Sequence, residues 1–472
     1  MPGIALRRAR TDVTTVILYL FLVSTGLVMI YSVGAPPDGY PGGLTSYLTT
    51  AVGKQFIWVI ISVGAWVVIN YLIDRKIWVV GAYPIYVFTV VLLLLVLVIG
   101  KEINGARSWF SLAGFTFQPS ELAKFGSCLA MAAYLSQYSG KLDSLRTVAY
   151  GFLLWLVPAI VILGQPDMGS TLVFSGFLLV MYREGLTPLL FVLGGFSVFM
   201  VVLGILFPLQ ALLVGLLVLC IGLFTYSLPR RKLLYGLLGG AAGGTSLWAL
   251  QAGYGWYAVG GLAVLLFALM GYHLMRGSAR LVGTSLFFIL WGLALTFTAN
   301  YIYTNALLPA HQHERVVVWL HPEDADPRGS YYNLLQSKLA IAAGGVTGRG
   351  LQQGTMTRFD YVPEQQTDFI FSAIGEEQGF LGTSMFILIF GLLLWRITVI
   401  AERQRRTFAR AYAYGVAGIL LVHFLVNIGM TMGLIPVIGI PLPFISKGGS
   451  SLLSFTLMIA VLLKFDKHRG EV

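Results

Sequence analysis

Charge is what this sequence has least of: 11% of its 472 residues are Asp, Glu, Lys or Arg, against 57% hydrophobic. A soluble chain carries about 25% charged and roughly 45–50% apolar residues, so the charges here are too few to coat a water-facing surface of this size. That excludes a soluble enzyme, and the same apolar fraction excludes disorder. Cysteine is almost missing. Cys128 and Cys220 are the only two, and both sit within apolar runs, which leaves neither a disulfide framework nor a cysteine metal site. Strand-like alternation is missing as well, because the apolar runs are long and uninterrupted, unlike β-barrel staves. What is plentiful is Gly (55) and Phe (30), with a mean hydropathy of +0.81. These fit an all-α polytopic membrane protein in which small residues let helices approach closely. The net charge of +11 reads as retention of cytoplasmic loops and contact with anionic lipid, and no nucleic-acid partner is expected.

The first apolar run, Val13–Ser32, follows a short basic start with Arg7, Arg8 and Arg10. At about 20 residues it is long enough to span a bilayer and too long for a signal-peptide core, so it predicts a retained first helix with a cytoplasmic N-terminus. Further runs of spanning length predict helices over 54–73, 77–99, 119–138, 147–164, 168–183, 187–207, 209–227, 233–252, 255–275, 281–301, 380–400, 411–434 and 450–465, about 14 in all. With the N-terminus inside, 21 of the 31 basic residues fall at cytoplasmic ends, including Arg75, Lys76, Arg183, Arg396, Arg403, Arg406, Arg410, Lys464 and Arg469, and the C-terminus is inside too. Ten cations defy the sorting: Lys54, Lys101, Arg107, Lys124, Arg315, Arg328, Lys338, Arg349, Arg358 and Lys447. Nine of the 20 acids lie between Glu314 and Glu377, in or beside a long external loop at about 302–379. A loop this long is functional or disordered, and its aromatics argue for order. The chain therefore divides into N-terminal helices (1–186), further helices (187–301), the loop (302–379) and C-terminal helices (380–472).

Four polar clusters carry the candidate chemistry. The first runs Asn104-Gly105-Ala106-Arg107-Ser108-Trp109 and then Gln118-Pro119-Ser120-Glu121-Leu122-Ala123-Lys124. Pro119 suits a first helical turn. Glu121 and Lys124, three apart, share a face and can pair, and charges entering a spanning helix are costly enough to mark sites. In the second, Gln165-Pro166-Asp167-Met168-Gly169-Ser170, Asp167 caps the following helix, shapes a site, or does both. The third, His321-Pro322-Glu323-Asp324-Ala325-Asp326-Pro327-Arg328-Gly329-Ser330, holds loop carboxylates. With His311, His313 and Glu314 it is a poor zinc pattern, and no metal ligand is assigned. A hard divalent cation, Mg or Mn, on carboxylates and substrate phosphates stays open. The fourth, Pro441-Leu442-Pro443-Phe444-Ile445-Ser446-Lys447-Gly448-Gly449-Ser450-Ser451, offers backbone N–H groups at a helix start to an anion, and it lacks the spacing of a nucleophile elbow.

Together and in this order, these clusters resemble the SEDS family (shape, elongation, division and sporulation), and within it the RodA-like proteins. The matching stretches are Asn104–Lys124, Gln165–Gly169, Asp326–Tyr332 with Gln336-Ser337-Lys338, Tyr361–Glu377 and Leu434–Ser451. The resemblance implies a peptidoglycan glycosyltransferase of the bacterial cytoplasmic (inner) membrane. It would polymerise lipid II beside a class B penicillin-binding protein, a transpeptidase, and other membrane proteins of the elongation complex. Asp326 matches the family's essential loop aspartate, and Trp109, Glu121, Lys124 and Asp167 match its cavity residues. Three departures stand out. About four spans between 187 and 301 exceed the family's usual ten or so. Ser108 stands where the family often has Arg before Trp, with Arg107 one residue further back. Lys447 stands where many members have Tyr before Gly-Gly-Ser-Ser.

Two functions from different classes suit these residues. A polymerase forming a β-1,4 bond from an α-linked donor inverts the anomeric centre in one displacement, which needs one base and charge stabilisation on the departing pyrophosphate. Asp326 is the candidate base. Glu323 and Asp324 would serve on local grounds, but Pro327 and Gly329 favour a rigidly held Asp326. Arg315, Lys338, Lys124 and Lys447 are candidates for the pyrophosphate, with Ser450 beside them. A lipid II flippase is the alternative. It would need alternating access about a midplane site and often inverted repeats, whereas the polar groups gather on one face and no internal repeat is visible. The elongation role rests on the Pro-Glu-Gln-Gln-Thr-Asp-Phe-Ile-Phe stretch and Ile440-Pro441-Leu442-Pro443; a FtsW-like division role is the other reading.

Overall fold

The computed structural model describes residues 11–34, 50–103, 105–112, 115–138, 142, 144–226, 232–305, 308, 310–326 and 329–470. Arg7, Arg8, Arg10, Asn104, Lys141, Arg230, Arg231, Pro327 and Arg328 fall outside those residues, as does the side chain of His311. Each expected span falls on helix, and among the described residues eleven helices, against the 14 or so expected, are long and apolar enough to cross a membrane. The chain is an all-α polytopic membrane protein. It forms two compact units, Met1–Leu186 with Ala325–Val472, and Thr187–Asp324, so the long loop is shared between them.

In the first unit, α1 is Val13–Gly34 and α2 is Ala51–Val67, which continues through a π turn to Leu72. The Thr50 side chain caps α2 by accepting from Gly53 N. The span expected at 77–99 breaks at Gly81 into α3 (Arg75–Val80) and α4 (Ala82–Ile99). Then comes a feature the periodicity did not predict, a three-stranded antiparallel sheet of β1 (Lys101–Ile103), β2 (Ala106–Leu112) and β3 (Phe115–Phe117). Ile103 pairs with Ala106, and Gly105 between them has φ 79°, the left-handed conformation that makes Asn-Gly a hairpin signal.

Helices α5 (Pro119–Gln137) and α6 (Leu145–Leu163) follow, α5 with Pro119 in its first turn and α6 with a Ser144–Thr147 capping box. The next span is broken into α7 (Met168–Val173), one 3₁₀ turn and α8 (Phe177–Arg183). Within that turn Gly176 meets Gly418 so closely that a Cβ on Gly176 would lie 2.6 Å from the Gly418 carbonyl carbon. That is the small-residue approach by which helices pack where no hydrophobic drive separates them from lipid.

The second unit holds α9 (Pro188–Leu206), α10 (Leu209–Tyr226), α11 (Lys232–Gln251), α12 (Gly255–Met275), α13 (Ala279–Thr304) and the short α14 (Ala310–Leu320). Its core gathers around Ile221, Phe224, Leu262 and Leu266. Its few polar groups are satisfied locally, as where His273 Nε2 meets the Phe224 carbonyl at 3.2 Å.

The chain re-enters the first unit at Ala325 and forms α15 (Ser330–Ala343) and α16 (Thr355–Arg358). Next is α17 (Ile370–Glu402), interrupted at Gly379, whose φ of 64° and ψ of −164° are non-helical. The straight part of α17 therefore begins where the apolar run does. Helices α18 (Thr407–Met432) and α19 (Gly449–Lys467) complete the unit. Tyr412, Phe390 and Phe455 are among its largest fully buried side chains.

One end of this unit is tied by ion pairs. Asp12 takes Arg396 at 2.6 Å and Arg403 at 2.8 Å, Asp466 takes Arg403 at 2.5 Å and Arg469 at 3.1 Å, and Glu184 takes Arg410 at 2.7 Å. Burial alone would raise the Asp12 carboxyl; the hydrogen bonds from Arg396, Thr15 and Arg403 outweigh it and hold Asp12 well below the usual carboxylate range.

Candidate functional site

The opposite end of the first unit carries the sheet, the start of α5, the 164–168 turn and the start of α19. A cavity of about 360 Å³ opens there. Its walls come from the first turns of α2 (Lys54, Gln55, Trp58), from Trp109 and Thr116 of the sheet, and from Thr367, Lys447, Gly448 and Gly449. Hydrogen bonds fix this arrangement. Gly448 N donates to Gln55 Oε1 (3.2 Å), Lys447 N to the Gln366 carbonyl (2.8 Å) and Ser446 Oγ to the Thr367 carbonyl (2.5 Å). Gly449 is required by close approach, since a Cβ there would overlap the Trp58 indole. Burial lowers the Lys447 ammonium below the ordinary lysine range; Glu364 opposes that and Lys54 adds to it. The cavity thus presents two ammonium groups, two indoles and backbone at a helix start, a set suited to a sugar linked to an anion.

Trp109 and Lys447, predicted separately from two motifs, share this cavity. The other predicted residues take different places. Glu121 and Lys124, 2% and 0% exposed, form an ion pair at 2.8 Å inside the core. Lys124 Nζ also lies 2.9 Å from His423 Nε2, and His423 Nδ1 lies 3.0 Å from the Pro441 carbonyl. A tautomer protonated at Nδ1 satisfies both contacts. The Phe455 ring centroid stands 5.4 Å from the ammonium. Glu121 Oε2 is buried with no hydrogen-bond partner among the described residues.

Asp167 both caps and bridges: Oδ1 accepts from Ser170 N (2.9 Å), and Oδ2 accepts from Gln118 Nε2 (2.8 Å), joining α7 to the residue before α5. Ser450 is buried in the first turn of α19, one residue beyond the cavity wall. Lys338, on α15, lies over the left-handed Gly433, where a Cβ would sit 2.6 Å from its Nζ. Asp326 is exposed, and its carbonyl accepts from Gly329 N at 3.2 Å. Arg315 is half-buried on α14 in the second unit. In that unit His321, Glu323 and Asp324 bring their ligand atoms within 4.8 Å of one another, two exposed carboxylates of the kind a hard cation accepts with an imidazole beside them.

Other polar residues in the same region went unread. Lys54 was already marked by its defiance of charge sorting, and Trp58, one turn along, follows from it. His423 gave no signal, being a lone histidine in an apolar helix. Glu376 and Glu377 looked like two more loop acids, but they are structural anchors. Glu376 accepts from Met356 N (2.9 Å) and Thr357 N (2.8 Å), and Glu377 from Ser32 Oγ (2.6 Å).

Comparison with known proteins shows the family. The family model FTSW_RODA_SPOVE, described as a cell cycle protein, matches residues 13–227 and 244–471. The chain is 30% identical over 461 residues to the peptidoglycan glycosyltransferase RodA of Treponema pallidum, covering 97% of this chain and 98% of that one. It is 29% identical over 470 residues to a probable peptidoglycan glycosyltransferase FtsW of Trichlorobacter lovleyi, covering 98% and 94%. A solved structure of a peptidoglycan synthase complex that coordinates polymerization and crosslinking superimposes with a TM-score of 0.61 at 27% identity, over 98% of this chain and 99% of its own.

Proposed function

The chain belongs to the FtsW/RodA/SpoVE (SEDS) family, and from that premise we propose that it polymerises lipid II into β-1,4-linked glycan during cell elongation. It is a multi-pass membrane peptidoglycan glycosyltransferase. The observation that carries the finer reading is the shared cavity of Trp109, Trp58, Lys54 and Lys447. There indole faces can stack on sugar rings while the two ammonium groups and the start of α19 receive pyrophosphate. The reaction is one displacement. The acceptor 4-hydroxyl oxygen attacks the donor anomeric carbon as the bond to pyrophosphate oxygen breaks, inverting that carbon. The hydroxyl proton passes to a carboxylate, and the pyrophosphate leaves as a lipid-linked anion.

We assign the carboxylate to Asp326, and its place in the Asp-Pro-x-Gly segment supports this. Glu376 and Glu377 are committed to backbone and Ser32, and Asp326, exposed at the point where the chain re-enters the first unit, is the residue that matches the loop aspartate of the family resemblance. A divalent cation, if used, would be held by His321, Glu323 and Asp324. The site end faces outward, both termini are cytoplasmic, and the partner is a class B penicillin-binding protein. The orientation rests on charge sorting, and the partner on the likeness to the synthase complex. Reconstituted protein supplied with lipid II is the test. Asp326→Asn keeps size and hydrogen bonding while losing basicity, so product falls about 10²–10⁴-fold with folding and lipid II binding retained. Glu323→Gln and Asp324→Asn each keep most activity, and matched losses in both would instead mark a required cation at His321, Glu323 and Asp324. Near-normal polymer from Asp326→Asn defeats the assignment, and absence of polymer from the unmodified chain, with lipid II moved across the bilayer, favours a flippase.

A further inference from the structure

His423 is 1% exposed on α18 and takes no part in the displacement itself, yet it bridges two elements of the site. On one side Lys124 Nζ stands 2.9 Å from Nε2; on the other the Pro441 carbonyl stands 3.0 Å from Nδ1. An ammonium can only donate, so Nε2 accepts and the ring proton sits on Nδ1, where it is donated to Pro441. The buried Glu121–Lys124 pair thereby selects the nitrogen that carries the proton.

Pro441 belongs to the non-helical segment 433–448 between α18 and α19. Pro441 and Pro443 have no N–H to donate, so this segment depends on other anchors. Ser446 N donates to the Leu442 carbonyl at 2.9 Å and Leu442 N donates to Ser446 Oγ at 2.8 Å, closing residues 442–446 into one turn. Within it Phe444 has φ 69°, a left-handed conformation that a bulky side chain keeps only where its surroundings over-determine it. Lys447 follows directly, then the Gly448 and Gly449 backbone of the cavity wall. A shift at Pro441 is therefore passed through a closed turn to the ammonium. Asn427, one turn along α18 from His423, holds the adjacent Ile440 carbonyl at 2.7 Å, so the segment stays docked when His423 is changed. We propose that His423 is a positioning residue: held by Lys124 through Nε2, it donates through Nδ1 to Pro441 and so sets where Lys447 and Gly448 stand for the donor pyrophosphate. This rests on the reading of that cavity as the pyrophosphate site.

Two amides divide the contacts of the ring. The Asn amide reaches about as far as Nδ1 and the Gln amide about as far as Nε2. His423→Asn therefore keeps a donor for Pro441 and loses Lys124, whereas His423→Gln keeps an acceptor for Lys124 and loses Pro441. The full chain, purified in one detergent, is titrated with lipid II, and the concentration giving half-maximal rate is read, a quantity independent of the folded fraction. His423→Asn is expected to stay near the parent and His423→Gln to rise about fivefold, the value of one hydrogen bond. Beside Lys447→Met, His423→Gln is expected to add nothing, because the group through which it acts is gone. Asn and Gln variants that move together mark a merely structural histidine and overturn the proposal. So does a His423→Gln effect that persists undiminished beside Lys447→Met. If Lys447→Met raises the half-maximal concentration and His423→Gln does not, the proposal alone fails; if Lys447→Met leaves it unchanged, the cavity is not the pyrophosphate site and both readings fall.

Discussion

Removing either member of the Glu121–Lys124 pair should cost more than removing both. Lys124 is 0% exposed and Glu121 2%, so whichever charge is left behind cannot reach water, and stranding one partner of a buried pair costs about 3–5 kcal/mol. The two single changes should differ. In Glu121→Gln the ammonium keeps an amide oxygen and His423 Nε2, 2.9 Å away, which points to the lower end, about 3 kcal/mol. In Lys124→Met the carboxylate loses its only cation while Oε2 already lacks a partner, which points to about 5 kcal/mol. The double variant buries two neutral groups of similar volume and should lie within about 1–2 kcal/mol of the parent. Thermal unfolding of the purified chain in one detergent reads the cycle, and polymer formed from lipid II is measured on the same samples. A pair that holds α5 against α18 restores product together with stability in the double variant, and this is the outcome expected from full burial. Additive losses would refute the coupling. A stable but inactive double variant would refute the positioning role and return Lys124 to contact with substrate.

Lys447→Met should raise the lipid II concentration for half-maximal rate about tenfold, the value of a hydrogen bond to a charged group, with little change in maximal rate. Because the Lys447 ammonium is lowered by burial, it loses its proton below the ordinary lysine range, so donor affinity falls as pH rises through that region; Lys447→Arg, which stays charged, moves the alkaline limb upward, and an unmoved limb rejects the assignment. Gly449→Ala drives a Cβ into the Trp58 indole and should cost about 1–3 kcal/mol of stability, with Trp58→Ala restoring part of it. For topology, single cysteines replacing Val346, 64% exposed, and Leu145, 86% exposed, should react with an impermeant reagent on intact cells only at 346; labelling of 145 alone inverts the orientation.

The helices were legible because a membrane span is a composition as much as a pattern: about 20 apolar residues suffice, whatever lies across the bundle. Breaks within spans were not, because each depends on tertiary contact. Gly176 is one of 55 glycines, and only its approach to Gly418 distinguishes it. The sheet escaped because β1 and β3 have three residues each, too few for alternation to register, and Asn104-Gly105, a dipeptide that favours hairpin turns, was read only as part of a polar cluster. The pairing of Glu121 with Lys124 followed from spacing alone. That it is sealed in the core, with a histidine from α18 as third member, did not, since a contact between residues 299 apart in sequence leaves no local trace.

The ten cations that broke the charge sorting are the clearest case of sequence pointing at function before structure. A basic residue placed against the positive-inside rule is costly unless something local holds it, and the structure places six of the ten, three of them with an ionic or hydrogen-bonding partner. Lys54 and Lys447 face the cavity, Lys124 pairs in the core, and Arg107 lies 3.9 Å from Glu102. Arg349 donates to the Ala343 carbonyl at 3.0 Å, and Lys338 lies over Gly433. Those with a buried or backbone partner are explained by structure. The two at the cavity line the same walls; burial and Lys54 push Lys447 toward its neutral form while Glu364 opposes that, so an entering anion would favour its charged form. Two ammonium groups beside two indoles suit an anionic sugar ligand, which is why we propose this cavity, rather than the Glu376 and Glu377 anchors with their hydrogen bonds to Met356 N, Thr357 N and Ser32, as the place for substrate charge.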